Sequence, residues 1–344
     1  MTTATKSPSF LVIRRDNIGD LVCTTPLIAA LRSRYPDAWI GALVNRYAEP
    51  VLAGNADLDA VFSYQKAKHR APGESVLGLY MERLRMLLGL RRRAIDYVIL
   101  ASPGYQASAE RFARWVKPRH IIGFDNGSGL ADKTVPVHTE SLLHQVENNF
   151  RLLQVLGIQG PPPALKLGSD PKFVETYKKQ LPGSDGPVVG VHISAREADR
   201  RWPDAHFVEL IKALINQHGA KVVLTWAPGS RDNPRFPGDD DSARDISERC
   251  TGERFVALPT SGLAQLITSL AVCDTVICSD GGPVHLAAAL GKPVVSLFGS
   301  ERPKLWHPWG VPYRLIQPAS HQVRDIAVHE VLSAWKALLP ATAK

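Results

Sequence analysis

Thr275-Val-Ile-Cys-Ser-Asp-Gly-Gly-Pro-Val-His-Leu-Ala-Ala-Ala-Leu-Gly-Lys-Pro-Val-Val-Ser-Leu-Phe-Gly299 reads as strand, turn, short helix and strand. Thr275–Cys278 and Val294–Phe298 are apolar runs of strand length, rich in β-branched residues. Asp280-Gly281-Gly282-Pro283 breaks the first run, and Pro283 suits a first helical turn, where its missing N–H has no partner to lose. Gly291 and Pro293 stop the helix. Gly281 and Gly282 remove the Cβ atoms that would hold a ligand away from the backbone. The free N–H groups at such a helix start favour a phosphate, and His285 lies in the first turn, within reach of the same anion. The plainer alternative is a βαβ unit whose Gly-Gly is only a turn and whose His285 is a surface histidine. Neither a P-loop nor a Gly-x-Gly-x-x-Gly fingerprint is present.

The surrounding 344 residues, 44% hydrophobic and 22% charged, suffice for two domains with a core each. No apolar run approaches the ~20 residues of a membrane span, and the N-terminus lacks the apolar centre of a signal peptide. Cys23, Cys250, Cys273 and Cys278 have no metal spacing and read as buried, reduced thiols of a cytoplasmic protein. The formal charge of +8 is concentrated: residues 66–119 hold 12 Lys and Arg against 4 Asp and Glu. Such an excess suggests an anionic partner, either a phosphorylated substrate or an anionic membrane surface, unless it is a solvated basic face. No interleaved aromatics or nucleic-acid fold signature supports nucleic acid.

Strands are expected at Phe10–Arg14, Trp39–Val44, Asp59–Tyr64, Tyr97–Leu100 and His120–Phe124, separated by helical spacing at Leu21–Tyr35, Val76–Leu90, Ser108–Val116 and about Glu140–Leu156. Pro161-Pro162-Pro163 is the best linker. The pattern then restarts, with strands at Val188–Ile193, Lys221–Trp226 and Phe255–Leu258, then the opening unit, and a last helix over about Val323–Leu339. Alternation of this kind gives parallel sheets covered on both faces. The fold class is α/β with two doubly wound domains, 1–163 and 164–322, followed by a terminal segment 323–344.

Ligands of such sheets bind at the carboxyl ends of the strands. In the first half that loop offers Asp16, Asn17, Gly19 and Asp20. Asp20 stands at or near a helix start, where an N-cap competes with a role as proton acceptor for an attacking hydroxyl. In the second half, Ser194 and Arg200 are placed to hold phosphate oxygens, the arginine by a bidentate fork, unless Arg200 and Arg201 are a solvated pair before Trp202-Pro203. Asp239-Asp240-Asp241 resembles an acidic metal motif, but consecutive side chains diverge and no histidine accompanies them, so a solvated loop tip is expected. No metal site is assigned.

Leu11-Val-Ile-Arg-Arg-Asp-Asn-Ile-Gly-Asp-Leu-Val-Cys-Thr-Thr-Pro26, His144–Gly157, Arg200-Arg-Trp-Pro203 and Ser279–Gly291 together resemble, in order, the segments of the lipopolysaccharide heptosyltransferases, glycosyltransferase family 9. The resemblance runs from about residue 10 to residue 310. It implies a GT-B fold, two Rossmann-like domains facing across a cleft, with the last helix returning to the first domain. It implies metal-independent, inverting transfer of heptose from ADP-heptose, which is substrate rather than cofactor, to an inner-core lipopolysaccharide sugar. Asp20 would be the general base; Ser194, Arg200 and the backbone at Gly281 and Gly282 would meet the diphosphate; Asp280 and His285 would complete the donor pocket, with the loop after Trp226 bordering adenosine. Asn17, Gly19 and the basic Arg91, Arg92 and Arg93 would stand on the acceptor side, suiting an anionic acceptor at the inner face of the inner membrane, to which the protein would bind peripherally.

The chain departs from some members with Ser194-Ala195 in place of two threonines, Arg200 in place of lysine, and an enlarged Pro228–Asp241 loop where a glutamate is expected. A different nucleotide sugar or acceptor, an epimerase of the same fold, and a non-catalytic nucleotide-sugar binding protein therefore stay open as alternatives.

Overall fold

The computed structural model describes residues 7–65, 75–137, 143–169, 171–181, 185–233 and 237–339. The chain divides into Met1–Lys166 and Leu167–Lys344, just past the triple proline. Lys166 belongs to the first unit, where its amide donates to Thr25 Oγ1 (3.0 Å) and its ammonium to Asp57 Oδ2 (2.6 Å).

The first unit carries β1 (Ser9–Ile13), β2 (Trp39–Asn45), β3 (Ala60–Tyr64), β4 (Tyr97–Leu100), β5 (His120–Asp125) and β6 (Lys133–Pro136), in the order β3-β2-β1-β4-β5-β6. The second carries β7 (Val188–His192), β8 (Lys221–Trp226), β9 (Phe255–Pro259), β10 (Thr275–Ser279), β11 (Val294–Leu297) and β12 (Tyr313–Ile316), in the order β12-β11-β10-β7-β8-β9. Every pairing is parallel. Read from its own first strand, each sheet has the doubly wound Rossmann order. The central strands β1, β7 and β10 are buried throughout, because helices cover both faces.

The order of each sheet reverses between its first and fourth strands, β1 and β4 in one unit, β7 and β10 in the other. A crevice opens outside the carboxyl ends of such a pair, because the two connections leave in opposite directions.

Two helices differ from expectation. Leu21–Tyr35 is split into Ile18–Val22 and Thr25–Arg34. Pro26 has no N–H for Val22, and the Thr25 hydroxyl donates to that carbonyl instead (2.8 Å). The last helix was expected to return to the first domain, but its described part, Val328–Lys336, is seated in the second unit. Val331 and Trp335 are buried in that unit's core with Phe207, Leu210 and Leu214, and the Trp335 indole donates to Thr275 Oγ1 (3.0 Å). The beginning of the helix expected from Glu140 lies outside the described residues, which show Gln145–Arg151 followed by a 3-10 turn over Leu152–Leu156.

Candidate active site

In the second unit the loops after β7, β10 and β11 meet. Arg200, in the loop after β7, sets one guanidinium nitrogen 3.0 Å from Asp280 Oδ2 and another 2.6 Å from Glu301 Oε1. Its Nε is buried and has no hydrogen-bond partner among the described residues. Asp280 directly follows β10, and its amide donates to Leu297 O (2.8 Å). Burial, reinforced by Glu301 and Asp199, pushes the Asp280 carboxyl up to about 6 against the opposing pull of Arg200. Asp199 is held low chiefly by the Ser300 hydroxyl, which donates to it at 2.5 Å, and by the Ser300 amide at 3.0 Å. Gly299 allows this approach, since a Cβ there would lie 2.9 Å from the Asp199 carbonyl and carboxylate.

Gly281 follows Asp280 at φ 154°, a conformation that favours glycine, and the helix Gly282–Ala289 starts at once. No side-chain cap occupies that start; the Gly281 amide is hydrogen-bonded to the Asp280 carboxyl, which sits beside Arg200. The cluster therefore combines a guanidinium, a helix start without a side-chain cap and carboxylates that hold the guanidinium in place. That is the equipment for an anion of the diphosphate kind.

The described parts of the loop after β8 are tied together by its own acids. Asp240 accepts from the Trp226 indole (2.8 Å) and the Gly229 amide (2.9 Å). Asp239 is buried against Arg201 (3.1 Å) and Arg231 (3.5 Å), while Asp241 is exposed and pairs with Arg244 (3.2 Å). The expectation of a solvated acidic tip is corrected for Asp239 and Asp240, which are structural partners of cations and donors at the start of the helix Asp240–Arg249. No group of three or more potential ligands placed to hold a metal occurs among the described residues. Residues 234–236 of this loop lie outside the description.

In the first unit, β1 runs straight into Arg14, whose buried guanidinium grips Asp20 Oδ1, stands 3.1 Å from Asp16 Oδ2 and donates to Asn149 Oδ1 (3.3 Å). Asp20 is the third residue of the helix Ile18–Val22, not its N-cap. Its Oδ2 accepts from the amide of the N-cap, Asn17, at 3.1 Å. Its side chain is 12% exposed, so the carboxylate is oriented by two donors and still reaches solvent. Gly19 is buried beside it. Asp16 is steadied by the Gln106 amide, from the loop after β4. Both sides of the β1/β4 crevice thus contribute.

A model of glycosyltransferase family 9 (heptosyltransferase) matches residues 83–330. The chain belongs to this family. Lipopolysaccharide heptosyltransferase 1 of Salmonella typhimurium is 31% identical over 86% of this chain and 89% of its own length. Lipopolysaccharide heptosyltransferase 3 of Escherichia coli K12 is 26% identical over 94% of this chain and 96% of its own. Among solved structures, E. coli ADP-heptose lps heptosyltransferase II superposes with a TM-score of 0.75 at 22% identity, covering 96% of this chain and 98% of that one. This likeness shows the GT-B fold.

In this family 9 glycosyltransferase, Arg200 stands 3.0 Å from Asp280, with Gly281 and Gly282 next along the chain. Ser194 is turned inward, its hydroxyl accepting from the Ala227 amide (2.9 Å), so it ties the β7 and β8 loops together. Trp226 is half-buried and committed to Asp240. His285 is buried, edge-on to Trp306 with ring centroids 5.6 Å apart. Arg91, Arg92 and Arg93, expected on the acceptor side, are not at the end of the sheet that carries Asp20. They precede β4, and the Arg93 guanidinium lies 4.3 Å over Trp39, the first residue of β2. In a parallel sheet that is the amino end, opposite the loops that carry Asp20. Lys66, Lys68 and Arg70 of the basic stretch lie outside the described residues. Sequence reasoning missed Arg14, Asp199, Ser300, Glu301 and Gln106. Each follows a strand, but apart from Arg14's contacts with Asp16 and Asp20 their partners lie far away in the chain (Glu301 is 101 positions from Arg200).

Proposed function

We propose that this glycosyltransferase moves a heptose from ADP-heptose to an inner-core lipopolysaccharide sugar, with inversion and without a metal. The observation that carries the donor side is Arg200, held by Asp280 and Glu301 beside the uncapped helix start at Gly282. The curated relatives supply the sugar and the acceptor by their names, and the solved one supplies the nucleotide.

In this reading the diphosphate accepts from Arg200 and from the amide at Gly282, and draws the Gly281 amide away from the Asp280 carboxyl that holds it in the free chain. The acceptor hydroxyl gives its proton to Asp20 as its oxygen forms a bond to the anomeric carbon. The bond from that carbon to the diphosphate oxygen breaks, its electron pair stays with ADP, and the charge arriving there is met by the same donors. A single displacement inverts the anomeric centre. Asp20 keeps lone pairs for the incoming proton, since a carboxylate has about four acceptor positions and two are used. Arg14 and Asn17 orient it.

Peripheral attachment to the inner face of the inner membrane belongs to the same proposal. The helix Val76–Arg92 exposes Leu77, Tyr80, Met81, Leu84 and Leu88 among Arg85, Arg91 and Arg92, a pairing that suits an anionic lipid surface. None of the helices in the described residues is long and apolar enough to cross a membrane.

The donor is tested by thermal shift with ADP-, UDP- and GDP-linked sugars. The ADP sugar is expected to stabilise the chain most. A larger shift with UDP or GDP sugars would reject ADP-heptose and favour the same fold acting on another donor.

A further inference from the structure

Asn149 is fully buried in the first unit, a turn into the helix Gln145–Arg151. That helix is firmly started: His144 Nδ1 accepts from the Val146 amide (3.1 Å), and Glu147 accepts from the His144 amide (3.0 Å). The segment His144–Gly157 carries part of the family resemblance, yet no step of the transfer has called on it.

The Asn149 amide closes a ring of hydrogen bonds around Asp20. Its Oδ1 accepts from one terminal nitrogen of Arg14 (3.3 Å), and the other terminal nitrogen of that guanidinium donates to Asp20 Oδ1. Its Nδ2 donates to Thr24 Oγ1 (3.3 Å), and the Thr24 hydroxyl donates to the Asp20 carbonyl (2.8 Å). Nδ2 also donates to Cys23 O (3.1 Å). That carbonyl is stranded where the helices Ile18–Val22 and Thr25–Arg34 part, because the Leu27 amide bonds to Thr24 O instead. The carboxylate and the main chain of Asp20 are thus each two hydrogen bonds away from one distant side chain.

The place calls for an acceptor toward Arg14 and a donor toward Cys23 O. A primary amide supplies both in one orientation only; turned over, it would set donor against donor and carbonyl against carbonyl. What the amide fixes is the roll of the Arg14 fork. A guanidinium is planar, with its donors in fixed directions. Arg14 has two carboxylates within reach, Asp20 and Asp16, the latter 3.1 Å from its Nε. With one terminal nitrogen pinned by Asn149, the other is aimed at Asp20. Released, the fork is free to turn toward Asp16, leaving the Asp20 carboxylate to the Asn17 amide.

We propose that Asn149 is a positioning residue for the proton acceptor. Through Arg14 it sets the direction of the Asp20 carboxylate, and through Thr24 it sets the main chain that carries it. The inference rests on the reading of Asp20 as general base, and it gives the mid-chain helix a part in the reaction that needs no contact with either substrate.

The test measures kcat and acceptor KM with ADP-heptose and a soluble, lipid-free inner-core acceptor. The full chain is compared with Asn149→Ala, Asn149→Asp, and Asp20→Asn alone and combined with each. Asn149→Ala is expected to lower kcat about 10- to 10²-fold, the scale of a misplaced reacting group, with acceptor KM within about threefold. Asn149→Asp keeps the size and offers Arg14 a third carboxylate. It is expected to lower kcat at least as far, and it serves where the alanine variant melts below the assay temperature. In Asp20→Asn, adding either Asn149 substitution is expected to cost less than about threefold more, because the group it positions no longer takes the proton. A purely structural asparagine would lower the melting temperature and cost the same factor in both backgrounds. Equal factors in the two backgrounds, or kcat within about threefold of the unmodified chain in both Asn149 variants, would overturn the proposal. If Asp20→Asn keeps the unmodified rate, the general-base reading falls and takes this one with it. If Asp20→Asn loses the rate and the Asn149 variants keep it, this proposal alone falls.

Discussion

Donor binding is expected to draw a proton onto Asp280. In the free chain this carboxyl titrates at about 6, raised by burial and by Glu301 and Asp199, with Arg200 pulling the other way. A diphosphate arriving at Arg200 competes for that guanidinium and adds negative charge beside Asp280. Both effects favour the protonated carboxyl, so its titration moves further up in the complex. A rise of about one unit corresponds to about 1.4 kcal/mol of coupling. Starting from about 6, that makes ADP-heptose bind about fivefold more tightly at about pH 6 than at about pH 8, with uptake of about half a proton near pH 6.5. The sign is fixed: affinity rises as pH falls, because the diphosphate diester stays ionised while Asp280 is neutralised. Titration calorimetry in buffers of different ionisation enthalpy measures both quantities. Asp280→Asn should abolish the slope and the uptake. A flat profile in the unmodified chain, or an undiminished slope in Asp280→Asn, would refute the reasoning.

Further outcomes are expected. Trp335→Ala removes a fully buried indole and its bond to Thr275, at a cost of about 3–5 kcal/mol in urea unfolding followed by circular dichroism; a loss below about 1 kcal/mol would place the last helix elsewhere. Gln substitutions of Arg91 and Arg92, at the amino end of the sheet, should leave the KM for a soluble, lipid-free acceptor unchanged in a transfer assay, and a several-fold rise would restore them to the acceptor side. Chelation with EDTA should leave the transfer rate intact; a rate lost to chelator and restored by Mg²⁺ or Mn²⁺ would reject the metal-free displacement.

Much of the fold was legible because the central strands are apolar runs bounded by glycine and proline. The β10–helix–β11 unit was read nearly to the residue, from Thr275–Cys278, Gly-Gly-Pro and Gly291. β6 and β12 were missed for a shared reason. Both are four-residue edge strands, paired on one side only, and Lys133-Thr-Val-Pro136 and Tyr313-Arg-Leu-Ile316 carry polar residues that hide a strand pattern. The break after Val22 was written in Pro26, but the run of apolar residues around it reads as one helix.

The site was legible where one loop holds its parts, as in Asp280-Gly281-Gly282. It was not where tertiary pairing decides. Nothing near Arg200 announces Glu301, and Asp239-Asp240-Asp241 looks solvated until the fold supplies Arg201 and Trp226. The same holds for the basic residues. Arg91-Arg92-Arg93 drew notice by adjacency, whereas Arg15, Arg83 and Arg111 are scattered in sequence and meet only around Tyr64 and Phe112.

The central claim is that Asp20 takes the acceptor's proton while the second unit holds the donor. Single-turnover transfer by Asp20→Asn, with ADP-heptose affinity measured on the same sample, tests it most directly. The account predicts a rate lower by about 10²–10⁴ with donor Kd within about twofold of the unmodified chain. A rate within tenfold of the unmodified chain, in a variant that melts normally, would contradict it.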